Sequence, residues 1–432
     1  MNRIILIGNG LDIAHGLKTQ YSEFINWYWN CWIGILKQSN EYEIKDDLCK
    51  FGIRNNKTWG EFFRNEEKSL NESRGVDFLN EIKFNYPTSA YCSSCVLLEK
   101  ICVEIEKRNW VDIEDIYYSL LKKCTKANTS NDIKVEELNN HLDFLRNKLI
   151  QYLRELPEVE KICGIYDKIY EPISKNDVSN EGQQKLQEHI EFWLKCSDVE
   201  WEQRYKQYKY SNINHPILKD LVNDTRDNYS KQKDYIHYFN QCEEAFLWPD
   251  NIMLLNFNYT KTPELYKNDP VINFEIVNIH GQIDNAGSVI FGNGDELDDE
   301  YKMLQNLNDN RYLANIKSIK YLEADNYRKM LSFIDSAPFQ IYIMGHSCGI
   351  SDRTLLNTLF EHKNCISIKP FYHKKEDESD NYLEIIQNIS RNFTDMKLMR
   401  DRVVNKAYCE PLPQAKNKST LSSIELDSLT NH

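Results

Sequence analysis

Five short polar segments hold the residue types from which a nucleotide-handling or hydrolytic site is built. They are GNGLD (Gly8 to Asp12), NFNYT (Asn256 to Thr260), NIHG (Asn278 to Gly281), FGNG (Phe291 to Gly294) and GHSCG (Gly345 to Gly349). Glycine turns let a ligand approach backbone N–H groups, because no Cβ stands in the way. An asparagine amide both donates and accepts, so Asn258 could orient a water or a ribose hydroxyl. Histidine titrates near neutrality, which suits His280 to general-base work.

GHSCG also fits G-x-S-x-G, the strand-to-helix turn that presents a nucleophilic serine, here Ser347. That chemistry needs an acid and then a histidine further along the chain. After Ser347, His373 precedes the candidate acids Asp377 and Asp380, His362 lies just past the following helix, and His432 ends the chain. A serine hydrolase would also leave the other four segments without a role. Ser347 reads better as a ligand contact than as a nucleophile.

Taken singly, each segment has a plainer reading. Gly and Asn are common turn residues, and Ile13 stands where G-x-G-x-x-G has its third glycine. A lone His280 is more often a hydrogen-bonded turn residue than a catalytic one. Asp352 most simply caps the helix that follows, alone or with Ser351. Together, though, the segments fall in order at the ends of strand-like runs, where open α/β sheets bind their ligands.

Those runs are what must position the site. Ile4 to Gly8 is continuously apolar, as expected of a strand buried on both faces. Similar runs follow at Asn251 to Asn258, Phe274 to Gly281, Ser288 to Gly294, Phe339 to Ser347 and Asn364 to Tyr372. Helical patterns separate the later ones, at Asn326 to Ile334, Asp352 to Glu361 and Tyr382 to Ile389, so a parallel sheet is expected. An amphipathic helix carrying Tyr21, Phe24, Ile25 and Tyr28 follows the first run. From about Trp59 to Trp248 the pattern is almost entirely helical. Asp112 and Asp115 resemble a capping box at the start of one helix. Others cover HLDFLRNKLIQYLREL, QKLQEHIEFWLKC and the Tyr235 to Phe246 region. The polar tail from Gln414 is expected to be loosely held.

The 432 residues, 41% hydrophobic and 28% charged, describe a globular chain of two or three domains. A formal charge of −13 argues against nucleic acid and anionic membrane surfaces as partners. No apolar run approaches the roughly 20 residues of a membrane span. A cytoplasmic location is expected, with the 12 Cys reduced and mostly core filler. Cys92 and Cys95 form the lone C-x-x-C, so no zinc module and no metal site is expected.

The stretch MNRIILIGNGLDIAHGLKTQYSEFINWYW, with LNFNYT, NIHG, IFGN and IMGHSCGISDRTLLNTLF, resembles the AbiH family of bacterial phage abortive-infection proteins. The same blocks are similar, more distantly, to sirtuin-like NAD-hydrolysing domains. That second resemblance implies a Rossmann-like sheet with NAD as substrate. It implies a pyrophosphate turn at Gly8, Asn9, Gly10 and Asp12, and Asn258 and Tyr259 beside the nicotinamide ribose. His280 is implied as catalytic base, with Gly292, Gly345 and Ser347 as further cofactor contacts. Thr260 stands where that superfamily has Asp, Asn9 replaces Ala, Lys18 replaces Pro, and its zinc cysteines are missing. These departures argue against deacetylation.

The combined expectation is an α/β protein with an open, mainly parallel, sirtuin-like core from residues 1–57 and 249–395. A helical insertion occupies 58–248 and an extension 396–432. The expected function is phage defence by hydrolysis of NAD at the nicotinamide–ribose bond, by Asn258 and His280. The alternatives are a non-catalytic nucleotide sensor and a serine esterase using Ser347. A phage-derived trigger, a regulatory partner or self-association would control it.

Overall fold

The computed structural model describes residues 1–54, 57–65, 75–108, 111–126, 133–193, 249–267, 273–294 and 296–415. Its strands are β1 (Asn2–Ile7), β2 (Glu43–Lys45), β3 (Cys49–Ile53), β4 (Ala90–Ser94), β5 (Asn251–Asn256), β6 (Asn273–Asn278), β7 (Phe339–Met344) and β8 (Cys365–Phe371). Five of them form an all-parallel sheet in the order β6-β5-β1-β7-β8. The chain builds outward from β1 through β5 to β6, then returns past β1 to lay down β7 and β8. That is the doubly wound order, and its switch point lies between β1 and β7.

Continuous apolar runs form these strands because both faces are covered. Every residue of β1, β7 and β8 is buried. Alternate side chains serve opposite faces. Ile4, Leu6, Met253, Ile341 and Ile343 pack on one side against Met330 and Ile334 of the Asn326–Ser336 helix and the leucines of the Arg353–Phe360 helix. Ile5, Ile7, Ile252 and Leu254 pack on the other against Ile165, Ile169 and Tyr170.

A third core is built from the Tyr21–Gln38, Ile113–Cys124 and Val135–Arg154 helices, and it extends to Tyr259, Phe291 and Ile316 beside the sheet's carboxyl end. The stretch expected to be helical from about Trp59 also contains a strand, β4, which completes an antiparallel sheet with β2 and β3 from just before it. Cys92 lies within β4, opposite Phe51. β2 and β4 are short and largely half-exposed, so their alternation is too brief to stand out.

The run Ser288 to Gly294 is not a strand. Its amides go to four separate partners instead of a ladder. Ile290 donates to the His280 carbonyl at 2.9 Å, Gly292 to Glu114 Oε1 at 3.0 Å, Asn293 to Asn315 at 3.1 Å and Gly294 to Ser351 at 2.9 Å. Val289, Ile290 and Phe291 are buried nonetheless, which explains the strand-like composition.

Residues 403–415 return along the sheet edge, through bonds from Val404 to Ile368 and from Leu412 to Tyr372. Ala415 then reaches Ala14, next to the β1 turn. The expected helix at Tyr235 to Phe246, the end of QKLQEHIEFWLKC and residues 416–432 lie outside the described residues. No helix among the described residues is long and apolar enough to cross a membrane.

Candidate functional site

The carboxyl ends of β1, β5, β6 and β7 open into a cleft of ≈ 460 Å³, walled opposite by Val111, Asp112, Glu114, Leu149 and Leu153 of the helical layer. Gly8, Asn9, Gly10, Asp12, Asn258, Tyr259, His280, Gly345 and Ser347 all line it. Gly292 does not. Its N–H donates to Glu114 behind the wall, and a Cβ there would meet the Asn315 carbonyl oxygen at 2.0 Å.

At the switch point two turns lie backbone against backbone. The Gly10 N–H donates to the Gly345 carbonyl at 2.8 Å, and the Leu11 N–H to Gly8 at 2.9 Å. Gly345 sits at φ 78°, and a Cβ on it would come within 2.1 Å of the Leu11 nitrogen. Both positions therefore need glycine for close approach. The Gly10 and Leu11 amides are already paired, so an anion bound at this turn must find its donors elsewhere.

Asn258 ties β5 to β1: its Nδ2 donates to the Gly8 carbonyl at 2.9 Å, and its own N–H bonds Asn256 Oδ1 at 3.0 Å. Next to it lies Asp12, 1% exposed. The Thr260 hydroxyl lies 2.8 and 3.0 Å from the two Asp12 carboxylate oxygens. Burial pushes the Asp12 carboxyl up to about 6, against the opposing effect of bonds from Thr262, Thr260 and Asn258. Tyr259 turns its hydroxyl to the Ile290 carbonyl at 3.0 Å. The Asn9 amide oxygen accepts from the Thr19 hydroxyl.

His280 is buried at the end of β6. Its Nδ1 lies 3.2 Å from the Phe257 carbonyl, which can only accept, so Nδ1 carries a proton. Nε2 faces Asp352 Oδ1 at 3.2 Å and the Tyr321 hydroxyl at 3.1 Å. Burial and then the Lys317 charge lower the His280 pKa, with Asp352 opposing. The imidazole is thus neutral near pH 7, with Nε2 accepting from Tyr321.

Asp352 is the hub of a charge network that the sequence did not disclose. Its side chain makes no capping bond to the Arg353–Phe360 helix, contrary to expectation. It turns inward because Lys317, with a fully buried side chain, requires counter-charges. Lys317 Nζ lies 2.8 Å from Asp352 Oδ1 and 2.9 Å from Glu114 Oε2. Burial opposes ionisation of Asp352, yet Lys317 and His280 hold its carboxyl well below the usual range. Glu114 is pushed up to about 7 by burial, against Lys317, with Asp112 and Asp352 adding to the rise. His346 Nδ1 accepts from the Cys348 N–H at 3.0 Å, so its Nε2–H points toward Asp352 Oδ2 at 3.7 Å. The visible sequence signal for Glu114 was only its place beside Asp112, which does cap its helix by accepting from Asp115 N–H at 3.0 Å. Nothing local marks Lys317.

Ser347 is exposed, and no bond from its hydroxyl to a histidine or acid is found among the described residues. Its carbonyl accepts from Asn388 Nδ2 at 2.8 Å. The left-handed residues of this turn are Gly345 and Cys348, not Ser347, and the helix starts only at Arg353. A nucleophile elbow needs the serine at the sharp turn with a base in reach. Among the described residues Ser347 shows neither the sharp turn nor a hydrogen-bonded base. Among the described residues no cluster of three or more His, Cys, Asp or Glu is placed to hold a metal ion.

Fold and site together define an α/β protein with a five-stranded parallel sheet and a polar strand-end cleft closed by a helical layer. The family model for bacteriophage abortive infection AbiH matches residues 4–373, and the chain belongs to the AbiH family. Its role accordingly lies in abortive infection by bacteriophage. Comparison with curated proteins finds no match.

Proposed function

We propose that this chain is a phage-defence effector that hydrolyses NAD at the nicotinamide–ribose bond in the strand-end cleft. One observation carries the reading. Asn258 and His280, just past the ends of neighbouring strands β5 and β6, face one cleft at the carboxyl end of a doubly wound sheet, where dinucleotides bind in such folds. The distant sirtuin-like resemblance of the same blocks supports it. In this reading Asn258 orients the attacking water, and His280, its ring held by the bond from Nδ1 to the Phe257 carbonyl, accepts at Nε2 from a ribose hydroxyl in place of Tyr321. Gly8, Asn9, Gly10, Tyr259, Gly345 and Ser347 surround the rest of the dinucleotide. Gly292 acts only through Glu114. The core of residues 1–57 and 249–395 would do the chemistry in the cytoplasm. The inserted segment 58–248 would hold it inactive until a phage-derived trigger, a partner or self-association releases it.

The test is to incubate the purified protein with NAD, ATP and a generic ester, and to identify products by mass. NAD should be cleaved to nicotinamide and ADP-ribose or its cyclic form. Asn258→Ala and His280→Ala should each lower that rate by at least about 10²-fold, with circular dichroism unchanged. Consumption of ATP or ester with NAD intact would overturn the reading. A nucleotide sensor without turnover is the second reading, favoured by the two His280 nitrogens both contacting protein atoms. It predicts NAD binding with no nicotinamide released.

A further inference from the structure

Four carboxylates are buried among the described residues: Asp12, Glu114, Asp177 and Asp352. Three of them have a lysine. Glu114 and Asp352 share Lys317, and Asp177 meets Lys369 Nζ at 3.0 Å. Asp12 has none. Its partners are neutral donors, the Thr260 hydroxyl foremost, with Thr262 Oγ1 3.4 Å behind Thr260 Oγ1. No Lys or Arg lines the cleft among the described residues. An anion buried without a counter-cation is costly to hold, and a cation forming beside it would supply the missing partner.

We propose that Asp12 is a catalytic carboxylate, stabilising the ribosyl cation and taking the proton of the attacking water. This rests on the NAD-hydrolysing reading and extends it. The C1′–N bond breaks with its electron pair leaving on the nicotinamide nitrogen, so positive charge passes to C1′ and the ring oxygen. Water adds to C1′ through its oxygen, and one of its protons moves to Asp12 and then to solvent. Nicotinamide, ADP-ribose and one proton are the products, and nothing is oxidised or reduced. His280 has one acceptor nitrogen, Nε2, which the ribose hydroxyl occupies in that reading, so the water's proton needs another base. Asp12 is also bonded by Asn258, the residue that orients the water.

The surrounding titratable groups leave the Asp12 proton its own. His15, on the same short helix, bonds Leu11 and Tyr266, and burial lowers its pKa. Tyr259, His280, His346, Glu114 and Asp352 share the cleft or its rim, but each is engaged with a partner other than Asp12.

The experiment measures nicotinamide release against pH for the wild type, Asp12→Asn, Asp12→Ala and Thr260→Val. The wild-type rate should fall as pH drops through about 6, as the carboxylate protonates. Asp12→Asn should lose about 10²- to 10⁴-fold and abolish that acid limb. Formate or azide should restore part of the rate in Asp12→Ala. Thr260→Val, which keeps the carboxylate but removes its donor, should move the limb to higher pH. An Asp12→Asn enzyme with the wild-type rate and pH profile overturns the proposal and leaves NAD hydrolysis standing. If Asp12→Asn does not fold, an acid limb unmoved in Thr260→Val overturns it equally. A wild type that leaves NAD intact overturns both readings together.

Discussion

The two halves of one parallel sheet each hold a buried polar cluster, and the clusters are built to different rules. Toward the amino ends of the strands, the Arg3 guanidinium donates to the Ile169 carbonyl at 2.9 Å and to Gln340 and Tyr342 at 3.2 Å each. Gln340 passes on to Asp177, and Asp177 to Lys369. Their bonds tie β1, β7 and β8 to the chain beneath. Toward the carboxyl ends, the groups of the same sheet face a cleft. Burial lifts the carboxyls of both Asp12 and Asp177, but a cation opposes the rise only at Asp177. The carboxylate at the amino end has its cation within the protein, whereas Asp12 at the carboxyl end has hydroxyl partners and no cation.

The sharpest way to break the comparison is to remove the lysines. Lys317→Met strands Asp352 and Glu114 together, and should cost stability near the top of the roughly 3–5 kcal/mol of a broken buried pair. Lys369→Met strands Asp177 alone and should fall near the lower end of that range. Urea denaturation of both variants checks this, and equal losses would deny Lys317 its double role.

Asp12→Asn should do the reverse and stabilise the fold. A carboxyl whose pKa rises from 3.8 to about 6 on folding favours the folded state when protonated. Wild-type stability therefore declines as pH rises from 3.8 through about 6, and the full penalty is present at pH 7. Removing the charge should recover up to about 3 kcal/mol there, and nothing below pH 3.8. A thermal-melt series against pH reads the effect. An Asn variant less stable than wild type at pH 7 would mean that the carboxylate is as well matched as Asp177.

The smallest effect is expected at Ser347. Ser347→Ala should leave stability within about 0.5 kcal/mol and NAD turnover within about twofold, since one exposed contact is lost. Esterase activity abolished by that change would restore the serine as nucleophile.

Much of this was legible from residue order. Continuous apolar runs marked the five parallel strands, and the polar residues after β1, β5, β6 and β7 marked the cleft's rim. The Asp112 cap was legible too, because a cap is decided within one turn. The Ser288 to Gly294 run misled, since burial and strand pairing leave the same apolar pattern. The bond from the Thr260 hydroxyl after β5 to the Asp12 carboxylate after β1 has no local signature at all.

By itself the sequence determined what each element buries and which short segments end it, because periodicity and turn chemistry are local. Only the tertiary structure decided which charges meet. Glu114 and Lys317 are 203 residues apart in the chain, and Asp352 had a local role open to it as a helix cap. A buried ammonium without counter-charges is far more costly than an uncapped helix end, so Asp352 turns inward to Lys317 and His280. The same crossing of elements left Asp12 with hydroxyls and an amide for company and no cation, a condition visible only when the four buried carboxylates are seen together.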